Sequence, residues 1–322
     1  MKRRNALAAV LGPLLSSVWR PAQAQAWPQR PLRLVVSFAP GGPADIVGRL
    51  VGQALQERLK QSVVIENRTG AGGNLAAKYV AGVPADGYTL LVTTSSMAVN
   101  QTLYKDPGYN ALRDFTPIVN LAASPNILVV HPSDPAPDLK TFLAQNKGKP
   151  VSYGSAGVGS TPHLTADHVL RVLGKLDAVH VPFQGAAPAL NAAMANQVPV
   201  ASVALPPAVP LVKAGRVRAL AVTSLQRIPS MPQVPTVAES GFPDFEDYTW
   251  TGLFGPAGLP AEIVATLNAA ANEVLRQPDL SEKLAAAGLE RTGGTPAEFA
   301  AYLQREVAKW GRIVKETGIS AQ

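Results

Sequence analysis

Three glycine-rich turns hold the residues of this 322-residue chain best suited to chemistry. The first reads Ala39-Pro40-Gly41-Gly42-Pro43-Ala44-Asp45, the second Gly70-Ala71-Gly72-Gly73, and the third GSAGVGSTPH over residues 154–163. Each lies between a strand-like apolar run and a helical pattern. The first backbone N–H groups of a helix have no intrahelical acceptor and carry partial positive charge, so a turn that opens a helix suits an anion. Pro43 and Pro162 occupy plausible first helical positions. The anion is either a polyphosphate or a carboxylate. For any one loop, a tight βα turn with no ligand stays open as well.

The third turn tests the polyphosphate reading. Gly154 and Gly159 have the spacing of G-x-x-x-x-G-K-[ST], but Ser160 stands where the lysine belongs. That lysine reaches the terminal phosphates, so a triphosphate loses its main cationic partner. GAGGNL fails as a dinucleotide fingerprint, because Leu75 takes the third glycine position. A carboxylate carries about one charge, so amide and hydroxyl donors suffice. Hydrogen bonds to charged groups contribute about 1.5–3 kcal/mol each, and a helix N-terminus adds about 0.3–1 kcal/mol.

Other chemistry is poorly supported. The four histidines are His131, His163, His168 and His180, and the chain has no cysteine. His163 and His168 are five apart rather than four, so they do not form a helical ligand pair. No metal site and no cofactor are expected. His163, in the first turn of its helix, is open to ligand contact or to a local hydrogen bond, while His131 and His180 read as structural. YGSAG, residues 153–157, has Tyr153 where a nucleophile elbow needs glycine. Asp45 sits in a first helical turn, where a carboxylate suits the dipole. The chain is therefore not expected to be an enzyme.

The elements that position these turns follow the hydrophobic pattern. LRLVVSF (32–38), SVVIE (62–66), YTLLVT (88–93), NILVVH (126–131), VSYG (151–154), AVHVPF (178–183), VPVASVAL (198–205), VRALAVT (217–223) and TWTGLFG (249–255) read as strands. A helix with Ile46, Val47, Leu50, Ala54, Leu55 and Leu59 on one face follows the first strand, and another begins near Asn74. Further helices fit about 138–146, 161–173, 186–195, 206–214, 260–276, 279–287 and 296–316. Alternation of this kind predicts βαβ units and parallel sheets. No linker is visible, so two domains would be joined by crossing strands near 124–131 and 217–225.

Residues 1–24 read as a signal peptide. Lys2, Arg3 and Arg4 precede an apolar run, and AQAQA follows with cleavage after Ala24 or Ala26. Gly12-Pro13 interrupts that run, which argues against a membrane span. Arg3-Arg4 leaves the twin-arginine export route open beside the general one. Of 29 basic residues four lie in this leader, so the remainder carries 25 against 22 acids, net +3 in place of +7. With no long basic run, nucleic-acid binding is not expected. Without cysteine there is neither a disulfide framework nor a lipid-anchored N-terminus. These features predict a soluble protein of the bacterial periplasm.

Seven segments then carry a family resemblance: PLRLVVSFAPGGPADIVGRL, VVIENRTGAGGNLAAKYVAGVPADGYTLL, YGSAGVGSTPHL, VPFQGAAPALNAAMANQV, LVKAGRVRALAVTS, RIPSMPQVPTVAESG and GLFGPAGLP. In this order they resemble the periplasmic substrate-binding receptors of tripartite tricarboxylate transporters, the Bug (TctC-like) family. The resemblance implies a two-lobed α/β fold of the type II periplasmic-binding-protein class with two crossing hinge strands. Lobe 1 would comprise 25–124 and 225–322, and lobe 2 125–224. It implies a monomer that closes over a small carboxylate solute and delivers it to a membrane permease. A periplasmic enzyme acting on a carboxylate, or a binding protein feeding a sensor, is the alternative.

The resemblance also implies the binding residues. Two loops hold the carboxylate, partly through water and without an arginine clamp: Pro40, Gly41, Gly42, Pro43, Ala44 and Asp45, and Ser155, Gly157, Val158, Gly159, Ser160, Thr161 and His163. Ser95, Ser96, Phe183, Gln184, Gly185 and Ala204 line the cleft. Asp45 would order water or meet a ligand amine or hydroxyl. One departure concerns Val203-Ala204-Leu205, where family members often carry a polar residue. This more apolar wall suggests an aromatic or alkyl carboxylate.

Overall fold

A computed structural model describes residues 27–320; the signal peptide read over 1–24 and both cleavage positions lie outside the described residues. The elements, in chain order, are β1 (Leu32–Val36), α1 (Pro43–Leu59), β2 (Val63–Asn67), α2 (Asn74–Ala81), β3 (Thr89–Thr94), α3 (Ser96–Leu103), β4 (Phe115–Val130), α4 (Leu139–Gln145), β5 (Pro150–Ser155), α5 (Thr161–Asp167), β6 (Asp177–Pro182), α6 (Ala186–Met194), β7 (Val200–Ala204), α7 (Leu205–Lys213), β8 (Arg218–Val222), β9 (Tyr248–Pro256), α8 (Ala261–Leu275), α9 (Pro278–Ala286), β10 (Glu290–Gly293) and α10 (Pro296–Thr317). A π-helical stretch, His168–Leu173, continues α5.

Two lobes share one long strand. In the first, β2, β1 and β3 are parallel, and β9 runs antiparallel between β3 and β4. In the second, β6, β5 and β7 are parallel, and β4 pairs antiparallel with β7 and β8. The changeover is sharp. Pro125 on β4 still pairs with Tyr248 of β9, and the next residue, Asn126, pairs with Ala204 of β7. These are the βαβ units and parallel sheets expected from the alternating pattern, arranged in the two lobes that the family resemblance implies.

Each parallel sheet is covered on both faces, as its continuous apolar strands require. Leu34, Val36, Leu90 and Val92 pack under α1, α8 and α9, and Val35 and Leu91 face α2, α3 and α10. In the second lobe, Val203 and Ala201 pack with α6 and α7, and Val200 and Leu128 with α4 and α5.

The structure differs from the sequence reading in three places. β4 begins eleven residues before the expected NILVVH strand, and Pro117 and Pro125 within it mask its strand character. Helix α3 and the short edge strand β10 were not read. The buried face of α1 is also rotated: Val47, Gly48, Val51, Gly52 and Leu55 are buried, whereas Ile46, Leu50 and Leu59 are only half-buried. The helix rests on the sheet through its glycines. A Cβ on Gly52 would stand 3.1 Å from Ile65 Cδ1.

Candidate functional site

Five helices begin around one small cavity between the lobes. Its wall includes Gly42 and Pro43 at the start of α1, Thr94 just before α3, and Ser160, Thr161 and Pro162 at the start of α5. Ala186 opens α6 and Ala204 caps α7. Phe38, Ala156 and Thr249 complete it. No residue of this wall is charged. Each helix start contributes up to about half a positive charge, so the cavity is electropositive without a cation. Its free volume is about 20 Å³, near the room one water needs.

The chain folds this way because its glycine turns end in helix-starting residues. Ser160 caps α5: its hydroxyl donates to the Gly157 carbonyl at 2.8 Å and accepts the His163 amide at 3.4 Å. Ser155 Oγ lies 2.7 Å from His180 Nε2 and accepts the Gly157 amide at 3.2 Å. His163 Nδ1 accepts the Gly159 amide at 3.4 Å, and its ring stacks on His180 with centroids 3.9 Å apart. Burial pushes His163 down to about 4, and burial with the neighbouring His163 pushes His180 down to about 3. Ser155, Ser160 and His163 thus hold the loop through their polar atoms.

Asp45 is engaged in the same way. Its carboxylate accepts the Gly41 amide at 2.9 Å, Asn67 Nδ2 at 2.9 Å and Arg49 Nε at 2.9 Å, with Arg49 Nη2 also at 2.9 Å. Burial alone would raise its pKa, but these donors outweigh burial and hold it below the usual carboxylate value. Asp45 shapes the first loop from behind.

A second cavity of about 230 Å³ adjoins the first, and Phe38 and Ala156 line both. Residues 69–73, Tyr104, Gly157, Val158, Pro182, Phe183 and Gln184 form the rest of its wall, again without a charged side chain. Contacts cross between the lobes here. The hydroxyls of Ser95 and Thr161 are hydrogen-bonded, and Tyr104 Oη donates to the Val158 carbonyl at 3.2 Å. Gly159 lies so close to α3 that a Cβ on it would stand 2.0 Å from Asn100 Oδ1.

The structure therefore sorts the expected residues. Gly42, Pro43, Ser160, Thr161 and Ala204 line the inner cavity, and Gly157, Val158, Phe183 and Gln184 the outer one. Gly41 lines a separate groove between α1 and α6–α7. Pro40, Ala44, Asp45, Ser95, Ser96, Ser155, Gly159, His163 and Gly185 line neither cavity. Phe38, Thr69, Thr94, Tyr104, Pro182, Ala186 and Thr249 line the cavities without being among the expected cleft residues, and the second glycine turn, expected as an anion-suited turn but not as part of the cleft, lines the outer one. The turn itself was visible in the sequence, but nothing there placed it opposite the third. No group of three or more His, Asp or Glu suited to a metal ion exists among the described residues.

The match to known proteins extends over nearly the whole chain. Residues 47–319 match the model of the tripartite tricarboxylate transporter family receptor. The structure is similar to that of the periplasmic binding protein BugD, with a TM-score of 0.88, 31% identity, and coverage of 92% of this chain and 100% of that one. R. palustris Rpa4515 with adipate gives a TM-score of 0.89 and 36% identity, covering 92% of this chain and 99% of that one. MatC (Rpa3494) from Rhodopseudomonas palustris with bound malate gives 0.83 and 35%, covering 89% and 100%. This chain belongs to the tripartite tricarboxylate transporter receptor family.

Proposed function

We propose that the chain is a periplasmic receptor that captures a small carboxylate between its lobes and delivers it to the membrane permease of a tripartite transporter. It acts as a monomer, without turnover. One observation carries this reading: five helix N-termini meet at a single wall with no charged side chain. Amide and hydroxyl donors compensate one carboxylate well, whereas a polyphosphate needs cations. The bound adipate of Rpa4515 and malate of MatC are carboxylates, which supports the same class here. The inner wall has no His, Asp, Glu or Lys to move a proton, which supports binding over catalysis.

The inner cavity has room for about one water, so the lobes part to admit the solute and close on it. The partner change at Pro125 and Asn126 supports a hinge there. It supports lobes of 25–124 with 225–322, and of 125–224. The leader at 1–24, removed after Ala24 or Ala26, provides export. The carboxylate meets the helix starts, with Gly42, Ser160 and Thr161 nearest. The rest of the solute occupies the outer cavity against Phe38, Tyr104 and Phe183. These walls and Ala204 favour an alkyl or aromatic body. Native mass spectrometry of the purified protein tests the reading: a co-purifying organic acid supports it, and a co-purifying sugar or amine contradicts it.

A further inference from the structure

A buried carboxylate stands at the point where the chain passes between the lobes, outside the proposed solute site. Asp247, just before β9, is 5% exposed. Its Oδ2 accepts from Asn126 Nδ2 at 2.9 Å and from Thr165 Oγ1. Its carbonyl accepts from Thr223 Oγ1 at 2.5 Å, and its amide donates to the Thr223 carbonyl at 3.1 Å. Asn126, the residue at which β4 changes sheets, donates its amide to Thr223 Oγ1 at 2.7 Å and accepts from Thr249 at 2.7 Å. Asp247 thus ties β4, the end of β8, the start of β9 and helix α5 together.

Two of these partners connect to the inner cavity. Thr165 lies one helical turn beyond Thr161 on α5, and Thr161 and Thr249 both line that cavity. The other carboxylate oxygen, Oδ1, has no hydrogen-bond partner. Asp247 lines a cavity of about 150 Å³ whose walls come from both lobes: Leu164, Thr165 and His168 from one, Lys309, Trp310 and Ile313 of α10 from the other. The walls of this cavity therefore meet across the boundary between the lobes.

We infer that Asp247 is a positioning residue of the hinge, and that proton uptake on its carboxylate favours closure of the lobes. From β4, α5 and the ends of β8 and β9 its hydrogen-bond network takes only the neutral Asn126, Thr165, Thr223 and Thr249; the charged and titratable groups near it come from three other segments. Lys309 and Glu306 come from α10, His168 from the π-helical stretch, and Asp244 and Glu246 from its own segment. Burial, opposed by the Thr165, Lys309 and Asn126 interactions, pushes it up to about 6 from an ordinary 3.8. The open form hydrates the group and lowers its pKa, so the closed form binds the proton more tightly. Linkage then sets the sign: acidification from pH 8 to pH 5 shifts the balance toward closure by about tenfold.

The test needs no solute, so it is separate from the carboxylate reading. The chain has no cysteine, so spin labels on Lys140→Cys and Glu282→Cys, both exposed and one on each lobe, report the interlobe distance. The open-to-closed ratio should fall about tenfold from pH 8 to pH 5, with its onset near pH 6 and its midpoint between that value and the ordinary 3.8. Asp247→Asn should remain at the closed level throughout. Thr165→Val removes a donor that favours the charged form, so its midpoint should move to higher pH; this variant decides the matter if Asp247→Asn fails to fold. A wild-type distance distribution independent of pH, or a midpoint unmoved in Thr165→Val, would overturn the inference.

Discussion

The hydroxyls of Ser95 and Thr161 share a hydrogen bond across the cleft, one from each lobe. Both are buried, and Thr161 lines the inner cavity. Replacing one alone strands the other, which is costly in a buried site, whereas replacing both with apolar groups is close to neutral. Ser95→Ala combined with Thr161→Val should therefore leave the melting temperature nearly unchanged. Solute affinity should fall about 10- to 100-fold, the loss of one hydrogen bond to a charge. Calorimetric titration beside thermal unfolding measures both.

Gly159 provides a steric test of closure. An alanine there meets Asn100 Oδ1 and is also held at φ +83°. Gly215, at φ +65°, has open space around its missing Cβ. Gly215→Ala should cost about 1–2 kcal/mol of stability from backbone strain alone and leave affinity intact. Gly159→Ala should weaken binding about tenfold or more, because overpacking at a closed interface costs about 1–3 kcal/mol. Equal affinities in the two variants would count against a site that closes through this contact.

Asp45 should act on the loop rather than on the solute. Asp45→Ala leaves the Gly41 amide and Asn67 without their acceptor, a loss of about 1–3 kcal/mol. Arg49 adds little, since its side chain is half exposed and finds water. The pH dependence has a definite sign. The folded carboxyl titrates below 3.8, so its stabilisation is complete above about pH 4 and is lost as pH falls through the folded value. Denaturant titration at pH 7 and pH 3 should show the variant losing less stability on acidification than the wild type.

The stacked histidines add a second acid-sensitive element. Their folded values, about 4 for His163 and about 3 for His180, lie below the ordinary 6.5. The unfolded chain takes up protons first, so stability is lost as pH falls from about 6.5 toward 4. Asp247 works in the opposite direction over part of this range, because burial raises it to about 6. Comparing His163→Phe with the wild type isolates the histidine contribution. The variant should show a shallower loss of stability between pH 6.5 and pH 4.

Much of this arrangement was legible locally. A helix cap near Ser160 or Thr161 reads from the hydroxyl pair before Pro162, with Ser160 settled only by the structure, and the strand runs around Leu34, Leu91 and Val181 read from their apolar character. What was not legible depends on distant pairing. Thr249 lies beside Asn126 only because β9 inserts between β3 and β4. Helix α3 is buried on nearly every side, so its pattern lacks an amphipathic period. The first-turn position of Asp45 shows a carboxylate suited to the helix dipole, and the resemblance placed it toward the solute; neither shows Asn67, twenty-two residues away, that turns it inward. Asp247 gave no signal at all, since its meaning lies in four crossing segments.

The central claim is that helix N-termini and hydroxyls, without a cation, hold a carboxylate. The most direct measurement is a thermal-shift series pairing alkyl and aromatic carboxylic acids with their primary amides. A ligand at 100 times its Kd stabilises the folded state by about 2.7 kcal/mol, a shift of several degrees. The expected result is that at least one acid raises the melting temperature while its amide, equal in shape but uncharged, does not. Stabilisation by amides or amines, with none by any acid in the series, would contradict the account.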